Sequence, residues 1–134
     1  MTITPWIYNK VPLTEIPEGN YGFVYRITNN VDNRIYIGRK FFYSSKTKQV
    51  KGKKKKYKVE SDWKDYYGSN KVLQEDVARL GYGAFHREIL YLCKTKGTAN
   101  YYEAREIFKT DAIIKEEYYN DWCHVKVSKS HVKE

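Results

Sequence analysis

The fold is most tightly constrained by two short strand-like runs on either side of a polar segment. In YGFVYRIT, residues 21–28, large side chains alternate, so that every second residue from Tyr21 to Ile27 falls on one face. A second run, RIYIG at 34–38, follows after NNVDN at 29–33. Because Asn and Asp favour tight turns, this order predicts an antiparallel β-hairpin.

The position of the turn predicts which side chains meet across the hairpin. If the turn centres between Asn30 and Val31, Tyr25 lies directly opposite Tyr36 and the two phenols share one face. Gly38 falls on that face two residues later, where a missing side chain would let a ligand approach the backbone. Cross-strand aromatic pairs also serve packing alone, so periodicity by itself favours a structural pair.

A helix is predicted after residue 69. Ser69 is a plausible N-cap, and Gly81 supplies a stop. Apolar side chains lie between them at helical spacing, at Leu73, Val77 and Leu80.

A third strand and a second helix complete the predicted domain. The run AFHREILYL at 84–92 indicates a strand of five to eight residues, and Thr98 or Asn100 could cap the helix that follows. On that helix Tyr101, Ala104 and Phe108 are predicted to share one apolar stripe, with Ile107 beside it. The fold class is therefore α+β, with a three-stranded antiparallel sheet, made of the hairpin and the third strand, flanked by helices.

The length of 134 residues fits one domain. Residues 1–20 contain all three prolines and are predicted to form an extended lead-in. The domain is expected at 21–122, with a basic insert at 39–64 that forms a long hairpin or loop, and a tail at 123–134.

The sequence indicates neither a membrane protein nor a disulfide-stabilised secreted protein. No apolar run reaches the ~20 residues of a membrane span, and Met1–Lys10 lacks the features of a signal peptide. A soluble cytoplasmic protein that does not bind membranes is expected. Cys93 and Cys123 match no metal-binding spacing and are predicted to be ordinary core thiols.

The positive charge is concentrated in the insert. From Arg39 to Lys64 there are 11 basic residues against two acids, which accounts for the whole formal net charge of +9. A phosphate backbone is the favoured partner, because clustered lysines gain affinity by releasing counterions from nucleic acid. A solvated loop, an import signal or an anionic-lipid patch are the alternatives. The predicted nucleic-acid-binding residues, which would touch phosphates without reading bases, are Lys46, Lys48, Lys51, Lys53, Lys54, Lys55, Lys56 and Lys58.

Two short motifs resemble a known nuclease family. FVY at 23–25 and YIG at 36–38 resemble the two-part signature of the GIY-YIG nucleases, including the eleven-residue step between the tyrosines. SDWKDYYGSN at 61–70, together with the basic insert, is similar to the free-standing phage branch of that family, which is SegE-like and related to homing endonucleases. The resemblance extends from about Tyr21 to Asn120.

The resemblance implies a metal-dependent endonuclease acting on double-stranded DNA. Tyr25 and Tyr36 match the two active-site phenols of the family, one of which is proposed as the base that activates water. Glu103 matches its single metal-binding carboxylate, and Asn120 matches the Asn that closes the site. Mg²⁺ is the expected ion, with Mn²⁺ as a substitute. A homodimer or a partner protein would supply specificity.

Two family residues have no direct counterpart. The lysine-rich insert replaces the helix that carries the family arginine, so Arg39 and Lys40 are the candidates for its role. The family histidine is also missing, and Tyr67 lies beside its position, with Tyr66 as a weaker candidate.

The chemistry is consistent with this set, although other interpretations stay open. A phenol titrates near ~10, so a tyrosine base needs a cation nearby. One carboxylate can hold Mg²⁺, because that ion keeps waters and takes phosphate oxygens as its other ligands. Glu103 could instead complete a capping box with Asn100. At the level of function, the alternatives are an inactive nucleic-acid-binding module of the same fold and a basic structural or ribosome-associated protein.

Overall fold

The computed structural model describes residues 3–125 and 127–132. In that part of the chain there are seven strands, two α-helices and three short 3₁₀ turns. The strands are β1 (Trp6–Tyr8), β2 (Val11–Leu13), β3 (Gly22–Asn29), β4 (Ile35–Phe41), β5 (Tyr43–Val50), β6 (Lys53–Glu60) and β7 (Phe85–Cys93). The helices are α1 (Lys71–Leu80) and α2 (Lys96–Lys109), and the 3₁₀ turns are Trp63–Asp65, Tyr82–Ala84 and Lys129–His131.

The main sheet is larger than the sequence predicted. Among the described residues it has five strands in the order β2-β1-β7-β3-β4, with β1 parallel to β7 and the other pairs antiparallel. The predicted three strands form one side of it as β7, β3 and β4. The lead-in supplies the other two, since β1 pairs with β7 and β2 pairs with β1. The buried Trp6 of β1 also donates a 2.6 Å hydrogen bond to the Trp63 carbonyl. Strands of three residues are too short to show a periodicity.

The hairpin forms as predicted, but its register differs by two residues. Tyr25 pairs with Gly38, and Tyr36 pairs with Ile27. The turn is longer than expected because the Asn29 N–H bonds the Arg34 carbonyl at 2.8 Å, which leaves four loop residues. A two-residue shift preserves the faces of a strand, so the phenols of Tyr25 and Tyr36 still share one side, with ring centroids 6.1 Å apart.

Each helix covers one face of the sheet. Leu73 and Val77 of α1 pack against the face that carries Phe23 and Tyr25. On the opposite face, Val24 and Ile37 pack with Ala99 and Ile107 of α2. The two hydrophobic cores are therefore separated by the sheet.

Both helices begin at other residues than predicted. Asn70, not Ser69, caps α1, since its Oδ1 accepts the Leu73 N–H at 3.0 Å. Thr95 caps α2, since its Oγ1 accepts the Thr98 N–H at 3.1 Å. Gly81 ends α1 with φ at 89°, as predicted.

The earlier start of α2 changes how its residues are read. Asn100 and Glu103 lie inside the helix, so the capping-box alternative for Glu103 is ruled out. The predicted apolar stripe is only partly buried, because Ala104 and Ile107 are buried whereas Tyr101 and Phe108 are 40% and 57% exposed. The helix packs through Ala99 and Ile107, of which only Ile107 was predicted.

The basic insert forms a hairpin of its own. Strands β5 and β6 pair antiparallel as a separate two-stranded sheet.

The structure also bears on the membrane and cysteine predictions. Neither α-helix of the described residues has the length and apolar character of a membrane span. Cys93 is buried as predicted, whereas Cys123 is only partly buried.

Candidate active site

A cavity of about 400 Å³ opens beside β4. Its polar lining includes Tyr36, Arg39, Tyr66, Glu103, Asn120 and His124. Of the predicted catalytic residues, the structure thus brings together Tyr36, Arg39, Glu103 and Asn120.

The cavity draws on both faces of the sheet. Glu103 belongs to α2, which packs on the opposite face from Tyr25. Side chains alternate along β4, so Tyr36 points to the α1 side and Arg39 to the α2 side. Because β4 is the last strand of the sheet, groups from the two faces can meet around its edge.

Tyr36 presents its phenol to the cavity. Its hydroxyl shares a 3.0 Å hydrogen bond with the Ser69 Oγ, just before helix α1. Burial raises the pKa of Tyr36 above its ordinary value, and the bond to Ser69 acts in the opposite direction. In this state the Tyr36 phenol is neutral at physiological pH.

Tyr25 is enclosed beneath the cavity. Its side chain is fully buried, and its hydroxyl has no partner of hydrogen-bonding geometry among the described residues. Burial, followed by the neighbouring Tyr66 and Tyr36 phenols, raises the pKa of Tyr25 well above its ordinary value. A Cβ on Gly38 would collide with this phenol, so the space predicted for a ligand at Gly38 is filled by Tyr25 itself.

Glu103 and Arg39 form an ion pair on the cavity wall. The Arg39 Nε lies 3.6 Å from a Glu103 carboxylate oxygen. Burial raises the pKa of Glu103, while the Arg39 guanidinium and backbone N–H act to lower it. The Glu103 carboxylate is therefore partly desolvated and lies beside a cation.

Lys40 is turned toward a different partner. Its Nζ donates a 2.6 Å hydrogen bond to Asp62 and lies 4.1 Å from the centre of the Tyr66 ring. The bond from Lys40 lowers the pKa of Asp62. Of the two candidates for the family arginine, Arg39 is the one that lines the cavity.

Tyr67 lies outside the cavity, and its neighbour Tyr66 lies inside it. Tyr67 is 6% exposed, accepts the Thr4 N–H at 3.0 Å and stacks on Tyr82. Tyr66 lines the cavity and packs edge-on against Tyr25 at 6.0 Å between ring centroids. The structure therefore does not bring Tyr67 to the other candidate residues.

Asn120 binds the backbone of the YIG segment. Its Oδ1 accepts the Ile37 N–H at 3.0 Å, and its Nδ2 donates to the Ile37 carbonyl at 2.8 Å. The preceding backbone runs alongside β4, where the Tyr119 N–H bonds the Ile35 carbonyl at 2.7 Å. Asn120 thereby holds the edge strand between Tyr36 and Gly38.

Arg87 is a supporting residue that sequence reasoning missed. It is 1% exposed, and it donates to the Tyr66 carbonyl at 2.8 Å and to the Thr4 carbonyl. Its guanidinium lies over the rings of Trp6 and Tyr67, and burial lowers its pKa to about 10. The sequence did contain a signal for its burial, because Arg87 occupies an inward-facing position in the alternating pattern of β7.

His124 also lines the cavity without having been singled out for catalysis. It lies in the segment that the sequence assigned to a tail, four residues beyond Asn120, so no motif drew attention to it. An imidazole is the side chain that most often serves as a general base near neutral pH.

The side chains that line the cavity could hold a metal ion only weakly. The described residues contain no group of three or more His, Cys, Asp and Glu side chains able to hold an ion. Glu103 does place one carboxylate on the cavity wall. Such a site suits Mg²⁺, which is commonly held by one or two carboxylates together with water and substrate phosphate.

The eight predicted DNA-binding lysines lie away from the cavity, on the β5–β6 hairpin, where all are exposed. None of the salt bridges found in the described part of the chain involves them.

The chain matches the family model described as "Putative endonuclease segE, GIY-YIG domain" over residues 6–123. It is 31% identical over 100 residues to a protein of Enterobacteria phage T4 named "Putative endonuclease segE". That alignment covers 75% of this chain and 40% of the phage protein, so the chain spans less than half the length of this relative. No solved structure matches the chain. Because the family model covers most of the chain, including both half-motifs and the cavity residues from Tyr36 to Cys123, the chain belongs to the SegE group of the GIY-YIG family.

Proposed function

We propose that this chain is a divalent-metal-dependent endonuclease that hydrolyses phosphodiester bonds of double-stranded DNA. The observation that supports this most directly is the shared cavity of Tyr36, Arg39 and Glu103, which come from two elements, β4 and α2, and from both faces of the sheet. A phenol, a guanidinium and a carboxylate are a set suited to phosphodiester hydrolysis.

Arg39 is proposed to bind the phosphate. Hydrolysis needs positive charge on the non-bridging oxygens, where negative charge increases in the transition state. The Arg39 side chain is partly exposed, so it can exchange its contact with Glu103 for a phosphate. A guanidinium can also donate two parallel hydrogen bonds to such a group.

Tyr36 is proposed to orient the attacking water as a neutral phenol. Its raised pKa disfavours the phenolate, but its hydroxyl can accept one hydrogen bond and donate another. His124 is the candidate for the base that takes the proton of that water. Tyr25 would shape the site from below, since it supports Gly38 and Tyr66.

Glu103 is proposed to hold the metal. Mg²⁺, or Mn²⁺ in its place, would neutralise phosphate charge and assist departure of the leaving oxygen. The carboxylate must be ionised for this, which Arg39 favours and burial opposes. Asn120 would keep the edge of β4, and with it Tyr36, in position.

The lysines of the β5–β6 hairpin are proposed to bind DNA phosphates. Their exposure and their lack of ion pairs among the described residues leave eight positive charges available to a polyanion. This would hold the duplex against the protein irrespective of sequence.

One observation favours an inactive DNA-binding module as the second candidate. Arg39, the proposed phosphate-binding residue, and Glu103, the proposed metal-binding residue, form an ion pair with each other. If substrate does not separate them, the chain would bind DNA without cutting it.

Nicking of supercoiled plasmid in Mg²⁺ tests the proposal. Glu103→Gln and Tyr36→Phe should each lower the cleavage rate, Glu103→Gln by about a hundredfold or more. Glu75→Gln, an exposed glutamate of α1, is the matched control and should leave the rate unchanged. Cleavage that survives both cavity variants would refute the site, and tight DNA binding without cleavage in Mg²⁺ or Mn²⁺ would favour the inactive module.

A further inference from the structure

The β5–β6 hairpin has a regular shape, and we call residues 43–60 the basic ribbon. Its strands pair from Tyr43 opposite Glu60 to Val50 opposite Lys53. Lys51 and Gly52 close the turn with φ values of 50° and 75°, the two positive angles of a type I′ turn. A tight turn of this kind gives the ribbon a narrow tip that carries a lysine.

The register distributes lysines over both faces of the basic ribbon. Residues paired across an antiparallel ladder lie on the same face, and successive residues alternate. One face therefore carries Lys46, Lys48, Lys53 and Lys55. The other face carries Lys54, Lys56 and Lys58.

This arrangement is unfavourable without a polyanion. Lys48 lies directly opposite Lys55, and like charges in that position destabilise a sheet. A two-stranded hairpin is at best marginally stable in water by itself. The aromatic contacts that some of these lysines make, such as Lys58 over Tyr43 at 4.6 Å, do not neutralise charge. Anionic groups along both faces would remove the repulsion.

We propose that the basic ribbon enters the major groove of B-form DNA tip first, so that its two faces meet the phosphates on the two sides of the groove. The inference rests on the proposed DNA endonuclease function and deepens it. The major groove, ~12 Å wide, admits a two-stranded ribbon in undeformed B-form DNA, whereas the minor groove, ~6 Å wide, has to be widened to receive one. A flat clamp on one backbone would need lysines on one face only.

The tip would reach the floor of the groove. Guanine presents its N7 and O6 acceptors there, and Lys51 is a donor suited to them. The major groove of double-stranded RNA is deep and narrow and excludes such an element. The ribbon therefore selects duplex DNA over duplex RNA.

The base of the ribbon ties it to the candidate active site. The Ser61 N–H bonds the Phe42 carbonyl at 2.8 Å, and Asp62 binds the Lys40 that covers the Tyr66 ring. Strands of eight residues at ~3.4 Å per residue span about 25 Å. The tip therefore lies about seven base pairs from the base of the ribbon, since stacked base pairs rise ~3.4 Å.

Matched charge removal on the two faces tests the geometry. One double variant of the full chain is Lys48→Gln with Lys55→Gln, and the other is Lys54→Gln with Lys56→Gln. Affinity for a duplex oligonucleotide is measured against salt concentration without divalent metal. Each variant should lower the slope of log affinity against log salt by about 1.8, because each lost phosphate contact removes ~0.9. A lower slope in only one of the two variants would indicate a flat clamp and overturn the proposal.

Dimethyl sulfate footprinting tests the groove. Guanine N7, in the major groove, should be protected to one side of the cleavage site, and Lys51→Gln should weaken that protection. Unprotected N7 positions under a fully bound duplex, or equal competition by duplex RNA, would also overturn it. These outcomes are separable from failure of the proposed function, because plasmid nicking that depends on Glu103 would survive them.

Discussion

The Glu103 carboxylate experiences two opposing influences. Burial raises its pKa and the adjacent Arg39 lowers it, with burial the larger effect. Folding therefore favours the protonated form, so ionisation of Glu103 reduces stability as pH rises from its ordinary value through its raised pKa. A carboxylate that is costly to ionise when alone is well prepared to accept a cation.

Arg39→Gln should shift the pH dependence of cleavage. Without the guanidinium, the pKa of Glu103 rises further, and the ionised form needed for metal appears only at higher pH. We expect the acid limb of the profile of kcat/KM against pH to move upward, in addition to a lower plateau. In Arg39→Lys, which keeps the positive charge, the acid limb should lie close to its wild-type pH. An unmoved limb in Arg39→Gln would show that the pair does not control Glu103.

Gly38→Ala should destabilise the protein and impair cleavage. A Cβ at Gly38 would collide with the Tyr25 phenol, and overpacking of this kind costs ~1–3 kcal/mol. The measurement is the free energy of unfolding in urea, paired with plasmid nicking. Gly83→Ala is the control, since nothing lies within 4 Å of its added Cβ, and it should change stability little. Equal stability of the two variants would contradict the tight contact.

At the scale of elements, the edge of β4 decides how the site is built. Interior strands are paired on both sides, whereas β4 has β3 on one side and the segment around Tyr118 on the other. Asn120 completes this cover by using its side-chain amide as a strand would use its backbone. The edge strand is thereby protected and aligned at the same time.

Asn120→Ala should loosen this edge. Two buried hydrogen-bonding groups of Ile37 would lose their partner, at ~1–3 kcal/mol for each group left unsatisfied. We expect lower stability and a lower kcat, measured by urea unfolding and nicking. Asn100→Ala is the control, because the Asn100 Oδ1 is buried with no partner within the described ranges. A cleavage defect with wild-type stability in Asn120→Ala would instead indicate direct contact with substrate.

At the scale of the whole molecule, the basic ribbon and the main sheet are separate structures. The ribbon strands pair with each other and not with the five strands of the main sheet in the described structure. Their side chains are mostly exposed, in contrast to the buried β3. The charge that would bind DNA is thus carried by an element that contacts the core at its base, through Tyr43 and Glu60.

Replacing residues 46–57 with Asn-Gly should preserve the core and weaken DNA binding. The two-residue turn would join Ser45 to Lys58, which already face each other. Stability should change by less than ~1 kcal/mol. Seven lysines are lost, so the salt slope should fall by up to about 6. Calorimetry and salt titration measure the two effects, and a large loss of melting temperature would contradict the independence of the ribbon.

The sequence was informative where a local pattern is enough. Alternation in 21–28 and the polar cluster after it predicted the hairpin, and Gly81 predicted the end of α1. The SegE-like resemblance predicted the family. The lysine run predicted where the positive charge lies, because charge is a property of composition. These features depend on neighbours along the chain, so no long-range contact is needed to read them.

The tertiary structure decided which side chains share the cavity. Choosing Arg39 over Lys40 and Tyr66 over Tyr67 depended on which face or turn each neighbour occupies. Arg87 acquired its supporting role only when Tyr66 packed against β7. Consecutive residues of a strand point to opposite faces of the sheet. A motif that locates a functional residue only to within one position therefore does not show on which face its side chain lies. Which face meets which helix depends on packing between distant segments, and the chain therefore had to fold before its site could be identified.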